Sequence, residues 1–409
     1  MKKLLLSTAG LLIALTACQE GTVDTTQPTD PADRSAASRA RTGSGVGFYV
    51  SGSKMYDANG AEFVMRGVNA NMWWGDQTRN LAALTDPNGI VKSRANTVRL
   101  VGSAGTSGNA FGVDTPGEWK NVVEQTITRK MVPVVECHDA TGDTGNWDFN
   151  NIVSFWVRAD NVSWLKQYER YVILNIANEY GYLTKTTPDD PTIDPDRWAS
   201  DYKNAITRIR GAGVKCLLMI DANLGGNDLT TLYLKAKELL NHDPEHNIVF
   251  SMHAYKWGTV SPGGTNSWHG NRDGNRDKWT WPRWQVIGSG STAIAAPFFI
   301  EDQINYMKNY LGVCLVIGEF AATRYEGVDN YYKTEDIINR CGYHAIGWIA
   351  WSWNGNGNNG SGDTGTSTDI IFNQNQSEYK YLYNSSADLS PFGQLIINSL
   401  SGANRATIF

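Results

Sequence analysis

Charge and cysteine are both scarce in this chain of 409 residues. Only 19% of residues are charged, and the formal net charge is -5. Nothing in that balance suggests a basic stripe for nucleic acid. There are five cysteines, none in a C-x-x-C pair or another metal-ligand spacing, which argues against thiolate metal centres and redox motifs. Cys137, Cys216, Cys314 and Cys341 are expected as buried free thiols. A Cys314–Cys341 bridge is the alternative, because Cys314 opens one apolar run and Cys341 directly precedes the next. No Gly-x-Gly-x-x-Gly follows the first apolar run and no P-loop occurs. The nucleophile-elbow Gly-x-Ser-x-Gly and the clustered His and Asp of a metal hydrolase are also missing. No cofactor and no metal are therefore expected.

Long hydrophobic runs are lacking too. The N-terminal one, Leu4 to Ala17 after Met1-Lys2-Lys3, is short for a membrane span but suits a secretory signal. It ends Leu15-Thr16-Ala17-Cys18, which resembles a bacterial lipobox. Residues 1–18 are expected to be a lipoprotein signal with Cys18 lipidated, the alternative being an ordinary signal peptide with an incidental cysteine. Gln19 in place of Asp points to the outer membrane or cell surface, reached through the N-terminal lipid anchor. Residues 19–44, rich in Thr, Ser, Pro and Asp, cannot bury enough apolar surface to order themselves and read as a flexible linker. Residues 45–409 remain as one catalytic domain, expected to be a monomer.

What that domain does have is rhythm. Eight short apolar runs alternate with longer amphipathic pieces: Phe63–Asn69, Thr97–Val101, Val132–His138, Tyr171–Glu179, Lys215–Ala222, Ile248–Tyr255, Cys314–Phe320 and Ala345–Trp353. Continuous apolar runs of this length read as strands of a parallel sheet buried on both faces. Eight strand–helix units predict an α/β fold, a (β/α)8 TIM barrel with enlarged loops at the catalytic face. A doubly wound sheet is the alternative. Phe48–Gly52 and Lys54–Phe63 predict an N-terminal hairpin with Asn59-Gly60 as its turn. Trp198–Gly213 predicts a helix, and Ser390–Leu400 the closing one.

Side chains at the carboxyl ends of barrel strands converge on one site. Here they are Arg99, His138, Asn178, Glu179, His253, Tyr255, Glu319 and Trp351. Glu179 and Glu319 each end an apolar run, where an unpaired charge is costly. Two carboxylates with opposed tasks are what glycoside hydrolysis requires, one protonated to donate and one ionised to attack or to activate water.

These residues resemble the strand-end set of glycoside hydrolase family 5. Phe63-Val-Met-Arg-Gly-Val-Asn69, Glu136-x-His138-Asp-Ala-Thr-Gly142, Asn175-Ile-Ala-Asn178-Glu179, Met219-Ile-Asp-Ala222, Val316-Ile-Gly-Glu-Phe320 and Gly347-Trp-x-Ala-Trp-Ser-Trp353 resemble the bacterial endo-β-1,4-mannanases of that family. The resemblance implies Glu179 as acid/base and Glu319 as nucleophile in a retaining hydrolysis of β-mannan-type polysaccharide. It implies Asn178 on the sugar 2-hydroxyl, Arg99 and Tyr255 aligning Glu319, and His138 and His253 contacting the sugar or orienting the acid. Trp351 would be the sugar platform, with Trp353 beside it. Trp257, Trp268, Trp279, Trp281 and Trp284, in an insertion at 256–300, are expected either to stack on further sugars or to pack the loop on itself. An Asp-rich stretch at 184–197 reads as a solvated loop, with a Ca²⁺ site as the alternative. Two rival functions stand: an endo-β-1,4-glucanase of the same family, and an inactive surface glycan-binding lipoprotein.

Overall fold

Period-two alternation decides which way each strand points its side chains. The computed structural model describes residues 47–74, 76–105, 112–143, 147–181, 195–223, 225–227, 229–255, 284–287, 294–297, 300–321, 333–354, 368–371 and 380–409. The strands are β1 Tyr49–Ser51, β2 Lys54–Tyr56, β3 Arg66–Asn71, β4 Thr97–Gly102, β5 Val132–Cys137, β6 Ile173–Asn175, β7 Leu217–Asp221, β8 Ile248–His253, β9 Trp284–Ile287, β10 Ile294–Pro297, β11 Leu315–Glu319 and β12 Gly347–Ala350. β3 to β8, β11 and β12 are parallel and close into an eight-stranded barrel, with β11 hydrogen-bonded to β8. Each of the eight apolar runs supplied one of these strands. The Tyr171–Glu179 run contributes only three ladder residues, after which the backbone leaves the sheet. β9 and β10 form an antiparallel ribbon within the insertion.

The two faces of each strand feed two cores. On β5, Val132 and Val134 join Ile173, Leu217, Met219, Val249, Val316 and Ile349 in a cluster that fills the barrel. Val135 and Cys137, on the other face, pack outward with the helices. Helix Pro116–Thr128 shows the outer pattern. Thr115 caps it in a reciprocal box with Glu118, Pro116 opens it, and Trp119, Val122, Val123 and Thr126 are buried along one stripe. The closing helix forms as Pro391–Leu400, capped by Ser390.

The N-terminal hairpin lies over the amino end of the barrel. Phe48, Met55, Phe63 and Met65 extend the inner cluster there. Asn247, just before β8, ties the hairpin down, accepting from the Val50 amide and donating to the Phe48 carbonyl at 3.1 and 3.0 Å. The expected turn is displaced. Gly52-Ser53 joins β1 to β2, with Gly52 at φ 57°. Asn59-Gly60 makes the next turn, which brings Glu62 back to Tyr56. Both dipeptides suit turns, and the strand pairing decides which one closes the hairpin.

The four described cysteines are free and buried, so the Cys314–Cys341 bridge does not form. Cys341 lies within helix Thr334–Tyr343 rather than against the next strand. The lipobox with Cys18, the linker 19–44, Trp257 and most of the insertion and Asp-rich loop fall outside the described residues. No helix among the described residues is long and apolar enough to cross a membrane.

Two helices are locked together by a buried ion pair. Arg210, near the end of helix Pro195–Gly211, donates from Nε and Nη2 to Asp243, both at 2.8 Å, and from Nη1 to the Val214 and Cys216 carbonyls. Removing one partner of such a pair strands a charge in the interior. Arg210→Ala is expected to lower unfolding stability by about 3–5 kcal/mol in urea titrations. A loss under about 1 kcal/mol would show that water replaces the guanidinium freely.

Candidate active site

Toward the carboxyl end of the barrel the inward positions turn from apolar to polar. β5 reads Val132, Val134, Glu136 on its inner face, β7 reads Leu217, Met219, Asp221, and β8 reads Val249, Ser251, His253. With Asn69 from β3, Arg99 from β4, Asn175 from β6 and Glu319 from β11, these residues form a buried polar layer above the apolar fill.

Arg99 holds that layer together. Its guanidinium is fully buried and every N–H has a partner. Nε donates to Asn175 Oδ1 at 2.9 Å, Nη1 to Asn69 Oδ1 at 3.0 Å and to Glu319 Oε1 at 2.7 Å, and Nη2 to Asn178 Oδ1 at 2.7 Å and Asp221 Oδ2 at 3.2 Å. Glu136 Oε1 lies 3.5 Å from Nη1. Arg99 stands in the middle of β4 and not at its end, which is why it reaches so many strands.

Glu319 accepts on both oxygens, from Arg99 on Oε1 and from the Tyr255 hydroxyl on Oε2 at 2.8 Å. Burial pushes its carboxyl up from the ordinary value; His253 and Arg99 pull against that rise and Glu179 adds to it. Glu179 lies just beyond β6 in the left-handed region, at φ 44°. Its Oε1 is 2.6 Å from His253 Nδ1, and its backbone N–H donates to Asp221 Oδ2 at 3.3 Å. One oxygen from each glutamate and one ring nitrogen of His253 lie within 4.8 Å of one another. Among the described residues this is the only such group of metal-capable donors. Arg99, 2.7 Å from Glu319, works against a dication there.

Two buried ionic groups underlie the pair. Burial works against a charged His253, yet Glu319 and Asp221 lift its imidazole to about 10. Burial also disfavours a charged Asp221, yet His253 and Arg99 hold its carboxyl down to about 2. The ring of His253 is backed by Gly226, whose φ is +73° and where an added Cβ would sit 2.3 Å from His253 Cγ. Only glycine fits that contact.

The remaining wall is aromatic. His138 stacks on Trp351 with ring centres 5.6 Å apart, and Trp74 leans on both rings. His138 Nδ1 is 3.0 Å from Glu136 Oε1, and Glu136 raises its protonation against the effect of burial. Asn178 has both ends of its amide engaged, Oδ1 by Arg99 and Nδ2 by Thr141 Oγ1 at 2.7 Å.

The structure thus brings together Arg99, His138, Asn178, Glu179, His253, Tyr255, Glu319 and Trp351. Trp353 is a correction. It is fully buried, and its Nε1 donates to the Tyr381 carbonyl at 2.9 Å. Its side chain packs in the outer core, away from the cleft. Sequence reasoning did not single out Asn69, Glu136, Asn175, Asp221 and Trp74 as site residues. The signal for Asp221 and Glu136 was present, since each is an acid closing an apolar run, as Glu179 and Glu319 are.

Comparison with known proteins agrees with this geometry. The profile of the family described as cellulase (glycosyl hydrolase family 5) matches residues 56–357. A mannan endo-1,4-beta-mannosidase of Salipaludibacillus agaradhaerens is 33% identical over 308 residues, covering 75% of this chain and 81% of that protein. One from Cellvibrio japonicus is 29% identical over 319 residues, 76% of this chain and 60% of that protein. The solved beta-mannanase of Thermomonospora fusca superposes with a TM-score of 0.64 at 27% identity, over 89% of this chain and 99% of that one. With a closed eight-stranded barrel and two facing glutamates at its carboxyl end, this chain belongs to glycosyl hydrolase family 5.

Proposed function

We propose that the protein is a retaining endo-β-1,4-mannanase that cleaves mannan, glucomannan or galactomannan by double displacement. The observation that carries this reading is the Glu179–His253–Glu319 cluster, with one atom of each within 4.8 Å of the others. Retaining enzymes hold their two carboxyl groups about 5–5.5 Å apart, and inverting ones leave room for a water between them. Glu319 Oε2 attacks the anomeric carbon while Glu179 gives its proton to the leaving oxygen. The glycosidic bond breaks and an ester to Glu319 forms. Glu179, now ionised, takes a proton from water as that water attacks the same carbon, and the ester bond opens. Arg99 and Tyr255 hold Glu319 in line, and the Trp351–His138 stack offers a flat apolar face to the sugar ring. Asn178 shares the Arg99 guanidinium with Glu319, and in this reading it takes the sugar 2-hydroxyl. The mannan assignment rests on the relatives, both mannosidases by name.

An assay panel of galactomannan, glucomannan, carboxymethyl-cellulose and xylan decides the substrate. Reducing ends are expected from the two mannans, and cleavage of cellulose alone would move the assignment to the glucanase. Glu319→Ala is expected to abolish release and Glu179→Ala to cut it by about 10²–10⁴-fold. Full activity in either variant, or none in the parent on any substrate, would favour a glycan-binding protein.

Glu319 must be ionised to attack, and its carboxyl is raised by burial. Activity is therefore lost as pH falls through that raised value. The acid limb of kcat/KM is expected above 4.5, the ordinary glutamate value, and a limb below it would remove Glu319 from the nucleophile's role.

We further infer that residues 1–18 direct export and that Cys18 carries the lipid. The basis is the Leu15-Thr16-Ala17-Cys18 pattern followed by Gln19. Cys18→Ser is expected to move the protein from the membrane fraction to the soluble one. An unchanged membrane fraction would rule out the anchor.

A further inference from the structure

Asp221 is a buried carboxylate that neither cuts nor touches the cleft. Its side chain is fully buried on β7, beneath both glutamates. Oδ2 is used three ways: it accepts from Arg99 Nη2 at 3.2 Å and from the Glu179 backbone N–H at 3.3 Å, and lies 3.5 Å from His253 Nε2. Oδ1, the neighbouring Ser251 Oγ and His253 Nε2 make no hydrogen bond of ordinary length, though Ser251 and His253 both favour the ionised carboxylate. A fold seeking stability alone does better with an apolar side chain than with a buried charge so incompletely satisfied. Buried charges of this kind gather where an active site needs a particular ionisation.

Resting on the retaining mechanism above, we propose that Asp221 is a positioning residue of the hydrolysis, which keeps His253 in its doubly protonated form so that Nδ1–H occupies Oε1 of Glu179 and leaves Oε2 to carry the transferable proton. The geometry has two parts. Asp221 sets the Glu179 backbone, whose left-handed turn points the side chain over the cleft. It also faces His253 on the side opposite Glu179, so the imidazolium lies between two carboxyl groups. The titratable and charged groups facing Asp221 are Arg99, His253 and Tyr202, with Glu136, Glu179 and Glu319 around the same guanidinium.

A negative Asp221 favours the protonated form of the imidazole it faces. Asp221→Asn keeps the shape and an acceptor for the Glu179 amide but removes that charge. In a ¹⁵N-histidine pH titration of Asp221→Asn, His253 is expected to lose its second proton at least about 1 pH unit below the parent, with kcat on galactomannan reduced more than KM. A His253 titration unchanged from the parent, whatever happens to kcat or melting temperature, overturns the proposal and leaves Asp221 a structural residue. A second measurement needs no variant and no turnover. In ¹⁵N-histidine spectra of the intact protein at pH 8, His253 is expected with both ring nitrogens protonated; a neutral ring overturns the proposal even if the asparagine variant fails to fold. Failure of the retaining mechanism itself would show differently, as activity surviving in Glu319→Ala.

Discussion

One guanidinium organises this molecule. Arg99 is placed in the middle of a barrel strand with no solvent around it, and an arginine there cannot escape its charge by losing a proton. All five of its N–H groups must find acceptors, and they find them on β3, β6, β7 and β11 and on the loop after β6. The anions it collects could not be buried without it. Glu136, Asp221 and Glu319 are each 3% exposed or less, and three carboxylates in one dry volume would repel one another into protonation. Arg99 therefore makes it possible for the barrel to carry an ionised nucleophile at its centre.

That arrangement is costly for the fold and is offset elsewhere. The inner apolar cluster of Val132, Val134, Ile173, Leu217, Met219 and Val249, continued into the hairpin's Phe48 and Phe63, supplies burial free of polar obligations. The outer helix layer does the same around the barrel. Stability and chemistry are segregated by depth along the same strands: apolar inward positions near the amino ends, ionic ones near the carboxyl ends.

Depth also explains what could be read from the chain beforehand. Glu179 and Glu319 were legible because an acid that closes an apolar run has no inexpensive place in a core. The eight strands were legible because runs buried on both faces are nearly continuous in apolar residues. For the same reason, facing was hard to read. In a run apolar on both sides, the alternation that sends Glu136 and Asp221 inward leaves no polar–apolar pattern. Trp353 has the parity of Trp351, but β12 ends at Ala350 and its alternation does not reach Trp353, which packs in the outer core. Asn59-Gly60 misled for a different reason: two adjacent turns each had a suitable dipeptide, and pairing with β1 chose Gly52-Ser53.

The two glutamates differ in what supports them. Glu319 is the last residue of β11, paired with His253 of β8 just past a register shift after Ile317 that turns it inward, so its backbone is held by the sheet. β6 stops at Asn175, so Glu179 stands on irregular backbone held by its neighbours: the Asn178 amide to the Cys137 carbonyl, the Gly142 amide to the Glu179 carbonyl, and Asp221 below. The nucleophile is thus part of the frame, and the acid is a fitting attached to it. Substitutions around Thr141, Gly142, Asp221 and Gly226 can retune the acid's proton affinity while the frame stays as it is. In a lineage moving between acidic and alkaline surroundings, adaptation would concentrate around the acid and spare the nucleophile's strand.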